Sequence, residues 1–242
     1  MKKLLYLMAA DLGFTAILFL YLAGVGHKQG VLDLGQAFTL MRYCAYAGIA
    51  AAVLAVIYIL WQRPTGAGLG MVIVSGLLGA AAFYVPFRQQ QMEQSAPPIH
   101  DITTDTSNPP AFVVIAPLRA DAPNPAAYDG EETARQQLAS YPEISSMLYP
   151  KTPEEVLTAA QQLMEDRGWQ LVDVDEEEGR LEATATTRWF GFKDDVVIRI
   201  ANGDAGMTRF DMRSKSRVGS SDIGVNARRI RDFVAELNER LM

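Results

Sequence analysis

The chain has 242 residues, of which 49% are hydrophobic, enough for one domain of ordinary size plus further apolar segments. Residues 1–95 carry six Lys and Arg against three Asp and Glu, whereas residues 96–242 carry 16 against 25. The acidic remainder argues against a nucleic-acid partner, because binding phosphates needs a positive surface. With Cys44 as the single cysteine and only two histidines, the sequence excludes an intramolecular disulfide and a Cys/His metal framework.

Three apolar runs near the N-terminus are long enough to cross about 30 Å of hydrocarbon. They are Leu4–Val25, Tyr43–Trp61 and Leu69–Phe87. The third run is rich in glycine, which permits close helix packing in a membrane. The first run is interrupted by Asp11 and is followed by no convincing cleavage site, so we expect a retained helix rather than a signal peptide. The sequence therefore predicts a three-helix transmembrane region over residues 1–90.

The orientation of these helices is predicted from basic residues. Lys2 and Lys3 at the N-terminus favour a cytoplasmic start, so three crossings place the acidic part outside, in the periplasm of a bacterium. Asp11 lies about two turns into the first helix, where a carboxylate is costly unless it is paired or neutral. Two interpretations stay open for Asp11. It is a proton or partner site, or it is hydrogen-bonded to a neighbouring helix such as the one that carries Ser75.

Residues 91–110 are predicted to form a connector, because Gln, Ser and Pro follow the apolar segments there. Within it, His100, Asp101 and Asp105 supply an imidazole and two carboxylates in six residues, a set that suits a metal or acid–base chemistry. The alternative, which we favour, is that Asp and Thr here bond to their own backbone in turns. We predict no metal and no cofactor.

Residues 111–242 predict a soluble α+β domain. Thr152, Pro153 and Glu155 form a capping box at a helix start, and Gly168 ends that helix. Four strands follow with a period of two, joined by short turns, and they predict an antiparallel meander. The last of them runs from Met207 to about Val218. A final helix, capped by Ser221 or Asp222, carries apolar residues four and three apart. Both helices are expected on one face of the sheet.

The last strand and helix concentrate basic residues in an acidic domain. Seven basic and two acidic residues lie between Met207 and Arg231. The candidates for an anion or partner site are Arg213, Lys215, Arg217, Arg228 and Arg229. A structural ion-pair network is the favoured alternative, in which Glu182, Asp194, Asp195, Asp211 and Asp222 pair with Arg199, Arg213 and Arg217 across neighbouring strands. Together with His100, Asp101 and Asp105, the residues Asp194, Asp195 and Asp222 form the predicted polar cluster.

Three stretches occur in order along the chain: H-D-I-T-T-D, E-A-T-A-T-T-R-W-F-G-F-K-D-D-V and R-S-K-S-R-V-G-S-S-D-I-G-V-N-A-R-R-I-R. They resemble the domain-of-unknown-function family DUF1499 over about residues 97–240, and the front helices resemble its membrane-anchored members. The resemblance implies a bacterial-type envelope protein. It supplies no assigned activity and no catalytic residues.

The predicted function is therefore that of an integral membrane protein of the bacterial inner membrane. Its extracytoplasmic domain binds a protein complex or an anionic lipid headgroup, in an accessory or assembly role. The alternative is a membrane-tethered hydrolase or metal-dependent enzyme that uses His100, Asp101 and Asp105 with the arginine cluster. The P-loop, dinucleotide and serine-hydrolase signatures are absent from the sequence, which favours binding over catalysis.

Overall fold

The computed structural model describes residues 2–242, with side chains from residue 4 onward. The side chains of Lys2 and Lys3, on which the predicted orientation depends, therefore lie outside the description. The chain divides into two compact units. One runs to Met92 and also takes in Arg188–Gly191, and the other comprises Glu93–Thr187 and Phe192–Met242.

The first unit is built on three helices: α1 (Lys2–Lys28), α2 (Leu34–Gln62) and α3 (Gly66–Ser95). By length and composition each is able to cross a membrane, as the apolar runs predict. Asp33 begins α2 because its side chain accepts from the Gln36 backbone N–H, while the Gln36 side chain accepts from the Asp33 backbone.

Small residues let the three helices approach closely. A Cβ atom on Gly48 would lie 2.4 Å from the carbonyl oxygen of Gly79, so α2 and α3 meet where neither residue has a side chain. Between α1 and α3, the Gly13 backbone N–H donates to the Ser75 hydroxyl at 3.1 Å. Close backbone contact replaces the hydrophobic effect as the source of packing energy in lipid.

Arg188–Gly191 contributes aromatic side chains to the first unit. The Trp189 indole N–H donates to the carbonyl oxygen of Tyr21 at 2.9 Å, and the ring occupies space that any side chain on Gly24 would fill. The Phe190 ring centroid lies 5.8 Å from that of His27. The W-F-G part of the second motif therefore packs at the C-terminal end of α1.

The second unit contains one antiparallel sheet in which five strands follow the order β1-β6-β5-β4-β3 and β2 also pairs with β6. The strands are β1 (Asp101–Thr103), β2 (Met147–Tyr149), β3 (Gln170–Asp175), β4 (Arg180–Thr186), β5 (Lys193–Asn202) and β6 (Thr208–Ser216). The predicted sheet of four strands is therefore wrong in number. The meander β3–β6 is present, but β1 and β2 extend it, and strands of three residues are too short to show a period of two in the sequence.

Four helices accompany the sheet: α4 (Ile115–Leu118), α5 (Glu131–Ser140), α6 (Pro153–Asp166) and α7 (Val225–Leu241). As predicted, α6 and α7 pack on one face, where they bury Leu163 and Phe233 against Ile198 and Met212. The predicted capping box of Thr152 and Glu155 begins α6.

Several boundaries differ from the sequence prediction. Residues 91–110, expected as a connector, contain the end of α3 and strand β1. The last helix begins at Val225 rather than beside Ser221, and Ile223 has a positive φ of 52° that breaks the helix pattern there. Asp222 still accepts from two backbone N–H groups, those of Gly224 and Asn226, at 2.9 Å and 2.6 Å.

Candidate functional site

The sheet has an apolar face toward α6 and α7 and a charged face on the other side, because successive residues of a strand point in opposite directions. Besides Asp211 at its rim, the charged face has five ionisable side chains with at most 2% of their surface exposed: Asp101, Glu182, Asp195, Arg213 and Lys215. Residues 109–130, which we call the strap, lie over them. Buried charges are costly unless each is paired and hydrogen-bonded, so their partners define this site.

Arg213 and Asp101 form the first part of the network. The Nε and Nη2 atoms of Arg213 each donate to one carboxylate oxygen of Asp101 at 2.8 Å, the two-point geometry that suits a guanidinium. Lys215 Nζ lies 3.2 Å from Asp101 Oδ2 and donates to Asp129 Oδ1 at 2.6 Å. Arg213 also donates to the Ala126 carbonyl oxygen at 3.0 Å, which binds the strap to the sheet.

Asp195 is the centre of the second part. Arg217 donates to both of its carboxylate oxygens at 2.8 Å, Arg119 donates at 3.0 Å, and the Thr184 hydroxyl donates at 2.8 Å. Arg119 belongs to the strap and also donates to the Ser216 carbonyl oxygen at 3.1 Å. Burial lowers the pKa of the Arg119 guanidinium from its ordinary value, and the charge of Asp195 opposes that shift. One carboxylate therefore joins β4, the segment that follows β6 and the strap.

Glu182 holds the strap by its backbone. One carboxylate oxygen accepts from the N–H groups of Val113 and Val114 at 2.6 Å and 3.2 Å, and the other accepts from that of Ile115 at 2.7 Å. These N–H groups precede or begin α4, where a helix leaves its first donors without internal partners. The carboxylate satisfies them, so strap and sheet share a fully buried anion site that the chain fills itself.

A third cluster surrounds Asp211 at the rim of the charged face. Arg199 and Arg209 donate to Asp211 Oδ2 at 2.7 Å and 2.9 Å, and each also donates to Asp105 Oδ2. Burial alone would raise the pKa of Asp211. Hydrogen bonds from Ser146 and Arg199, with the two arginine charges, outweigh burial and hold that pKa below its ordinary value.

On the opposite face, Asp194 points toward α7. Arg229 donates to Asp194 Oδ2 at 2.5 Å and to the Ser214 hydroxyl at 2.8 Å, which ties the helix to β6. Asp222 lies close by in the turn before α7. Burial raises the pKa of Asp222 against the effect of its backbone hydrogen bonds from Asn226 and Gly224. Asp194 and Asp222 are therefore separated from Asp195 by the sheet.

The structure does not gather the predicted polar cluster into one catalytic group. His100 Nε2 lies 3.2 Å from Asp129 Oδ2, whereas Asp101 binds Arg213 and Asp105 binds the arginines at the rim. Within the part of the chain that the structure describes, no three His, Cys, Asp or Glu side chains are grouped as metal ligands would be.

The basic candidates occupy three kinds of position. Arg213 and Lys215 are buried and bound to Asp101, so their charges are neutralised inside the domain. Arg217 and Arg229 keep 17% and 10% of their side chains exposed while paired with Asp195 and Asp194. Arg228 is exposed on α7.

Two members of the network have no counterpart among the sequence candidates. Arg119 is buried, whereas the Asp129 side chain is 25% exposed, and both lie in a segment without regular periodicity. Glu182 was expected only as a pairing partner for arginine, yet its main partners are three backbone N–H groups. The sequence gives one signal that Arg119 is buried. It is a charged residue in an irregular segment that also contains the apolar residues Phe112 and Ile115.

The strap carries an apolar ridge on its outer side. Val113 and Leu118 have exposures of 50% and 59%, and Val114 is also exposed. Val114 and Leu118 are four residues apart at the start and end of α4, a spacing that places both on one side of a helical turn. Two residues of the ridge of Val113, Val114 and Leu118, namely Val113 and Val114, supply backbone N–H groups that Glu182 binds.

Asp11 in α1 is exposed, and its described hydrogen-bond donor is the Thr15 hydroxyl of the same helix at 3.4 Å. Ser75 instead accepts from the Gly13 backbone N–H, and the hydrogen bonds of the described residues do not join it to Asp11. Insertion scales assign a cost of about 2.5–3.5 kcal/mol to a carboxylate near the centre of a spanning helix.

A family model described as "Protein of unknown function (DUF1499)" matches residues 101–237, which is more than half of the chain. A search of curated proteins found no match to this chain. The matched range contains the strap and its sheet partners: Asp101 lies in the first motif, Glu182 and Asp195 in the second, and Arg213 in the third. The motifs that carried the resemblance therefore meet in one buried network, and the chain belongs to the DUF1499 family of proteins of unknown function.

Proposed function

We propose that this chain is a membrane-held binding protein whose soluble unit docks onto a protein of a membrane complex. The observation that carries the proposal is the apolar ridge of Val113, Val114 and Leu118 on a strap fixed by Glu182 and Arg119. Exposed apolar clusters on folded domains mark interaction surfaces. A surface that is already ordered binds at a lower entropic cost than a loop that must first become ordered.

The charge of the soluble unit indicates the chemistry of the partner. Residues 96–242 carry 25 acidic against 16 basic side chains, and Arg213, Lys215 and Arg119 are buried among them. Six acidic side chains are buried together with these three basic ones, so the accessible surface keeps an acidic excess of 19 against 13 side chains. A protein with an apolar recess surrounded by basic side chains is complementary to such a ridge, since opposite potentials steer the encounter and apolar contact holds it.

The experiment is recovery of partners with the tagged full-length chain, extracted in a mild detergent and followed by mass spectrometry. The test variant combines Val113→Ser with Leu118→Ser. The matched control is Leu148→Ser on β2, since Leu148 is also 50% exposed but lies outside the strap. We expect the test variant to recover at least tenfold less of a specific protein, and the control to recover it as the wild type does.

Equal recovery by all three forms would show that the ridge is not the binding surface. An anionic lipid headgroup is the other partner suggested by Arg217, Arg228 and Arg229. Lipids are therefore extracted from the same preparations. One outcome would show that the partner is a lipid rather than a protein. In it, an anionic lipid is enriched without any specific protein, and the Arg228→Gln variant loses that lipid.

The hydrolase alternative depends on His100, Asp101 and Asp105. The separate partners of these residues support binding rather than a shared catalytic group. Substitution His100→Ala tests the alternative. A folded variant that still recovers the partner protein fits a binding role, whereas a folded variant that loses the cellular function but keeps the partner would favour an enzyme.

We place the protein in a bacterial inner membrane, with the N-terminus in the cytoplasm and the soluble unit in the periplasm. Support comes from the basic pair Lys2–Lys3 before the first span and from the odd number of apolar helices.

A further inference from the structure

Asp11 lies at the centre of the exposed side of α1. The residues that flank it on this side are apolar and exposed: Leu4, Leu7, Met8, Phe14, Leu18 and Leu22. The opposite side of the helix is buried within the first unit through Ala9, Ala16, Leu20 and Ala23. At 3.6 residues per turn, Asp11 shares its face with Leu7 and Leu18, which lie four before and seven after it. The carboxylate therefore points away from α2 and α3.

Hydrocarbon cannot solvate this carboxylate, and the chain supplies little to replace water. Among the described side chains, only Thr15 donates to it, over a long 3.4 Å contact within the same helix. The Ser75 hydroxyl of α3 accepts from the Gly13 backbone N–H, and among the described hydrogen bonds it makes none to Asp11. Asp also has too short a side chain to reach the interface as Lys or Arg do. Ionisable residues inside membranes are retained where they meet a partner.

We propose that this face of α1 packs against a spanning helix of another protein that carries Lys or Arg at the depth of Asp11. Charge complementarity selects that partner: a cation neutralises the carboxylate, and Leu7 and Leu18 supply the apolar contacts on either side. A second copy of this chain is less suitable, because parallel α1 helices would bring two Asp11 carboxyls into one layer. The interface is separate from the ridge on the strap and does not depend on it.

The test uses the full-length chain in native membranes with a photo-crosslinking residue at Leu7 or at Leu18. A crosslinker at Leu77 of α3, which is 66% exposed, is the control for accidental contact. We expect both α1 positions, and not Leu77, to give an adduct with one specific protein. Asp11→Asn, which removes the charge but keeps the shape, should lower its yield at least tenfold. Asp11 has no described partner on another helix, so the amount of inserted chain should stay at the wild-type level.

Mass spectrometry of the adduct identifies the partner, and exchange of charges completes the test. Asp11→Lys should abolish the adduct, and Lys→Asp or Arg→Asp at the partner's intramembrane cation should restore it. An adduct at twice the mass of this chain would show that the partner is a second copy of the chain and would overturn the proposal. Adducts with lipid alone, or a yield unchanged by Asp11→Asn, would overturn the proposal. These outcomes are independent of Val113 and Leu118, whose variants test the soluble surface.

Discussion

Arg213 lies where removal of one side chain leaves another charge uncompensated. Its guanidinium binds both oxygens of Asp101 in a site from which water is excluded. A methionine at this position would fill a similar volume but would leave Asp101 with Lys215 alone. Breaking a buried pair in this way costs about 3–5 kcal/mol, far more than loss of an exposed charge.

We therefore predict that Arg213→Met lowers the free energy of unfolding of the soluble unit by about 3–5 kcal/mol. Arg228→Met, the matched change at an exposed arginine, should alter it by no more than about 0.5 kcal/mol. Urea titration of the full-length chain in detergent, followed by tryptophan fluorescence, measures both. A stable Arg213→Met variant would show that the buried pair is not needed for folding and would reopen the anion-site interpretation of this arginine.

Asp211 makes the stability dependent on acid. Because its pKa is lower in the folded chain than the ordinary 3.8, its contribution is present above that value and is lost as the pH falls through the folded value. We expect Asp211→Asn to be less stable than the wild type at pH 7, with a smaller further loss between about pH 4 and pH 2. Thermal unfolding across this range measures the effect. Asp204→Asn, at an exposed residue, is the control, and a wild-type slope in Asp211→Asn would refute the assignment.

The first part of the strap, residues 113–115, is held to the sheet by the carboxylate of Glu182. In Glu182→Gln, one of the two acceptor oxygens becomes an NH₂ group that cannot accept from the backbone N–H groups of Val113, Val114 or Ile115. A buried donor left without a partner costs about 1–3 kcal/mol. We predict that the amides of residues 113–115 exchange with deuterium at least tenfold faster in this variant. Amides of α6, such as that of Leu163, should keep wild-type protection. Unchanged exchange in the strap would show that other contacts fix it.

The elements that the sequence predicts are those with local signals. The helix α6 has its capping box, α7 repeats apolar residues at helical spacing, and β3–β6 alternate with a period of two. The strands β1 and β2 have only three residues each and acquire their conformation from β6, which lies more than 50 residues further along the chain. Their existence depends on pairing over a long sequence separation, which no local pattern records.

The ion pairs of the charged face are likewise only partly predictable from local sequence patterns. Pairs between adjacent strands were predicted, and Asp211 with Arg199 lies directly across β5 and β6. The partner of Arg213, Asp101, also lies on an adjacent strand, but that strand is β1, and Asp101 is 112 residues away along the chain and belongs to a different candidate cluster. Composition and alternation identify which side chains are charged and on which face they lie. Which carboxylate meets which guanidinium is decided by the fold.

At the scale of the whole molecule, the distribution of charge favours a protein partner over a lipid surface. Six acidic and three basic side chains of residues 96–242 are buried, and the remaining accessible side chains still have an acidic excess, to which the exposed turn Glu176–Glu178 contributes. Anionic lipids attract clusters of accessible cations, each worth about 1 kcal/mol near the surface. A surface of this kind is repelled by such lipids and is attracted by a basic protein.

Orientation in the membrane decides which proteins such a surface can meet. Basic residues near the first span set the topology, and the pair Lys2–Lys3 favours retention of the N-terminus in the cytoplasm. With this orientation, three spans would place residue 242 on the far side. We predict that alkaline phosphatase, which needs an oxidising compartment, is active when fused after Met242 and inactive when fused after Gln62, between α2 and α3. The reverse pattern would place the soluble unit in the cytoplasm, and the partner search would then move to cytoplasmic proteins.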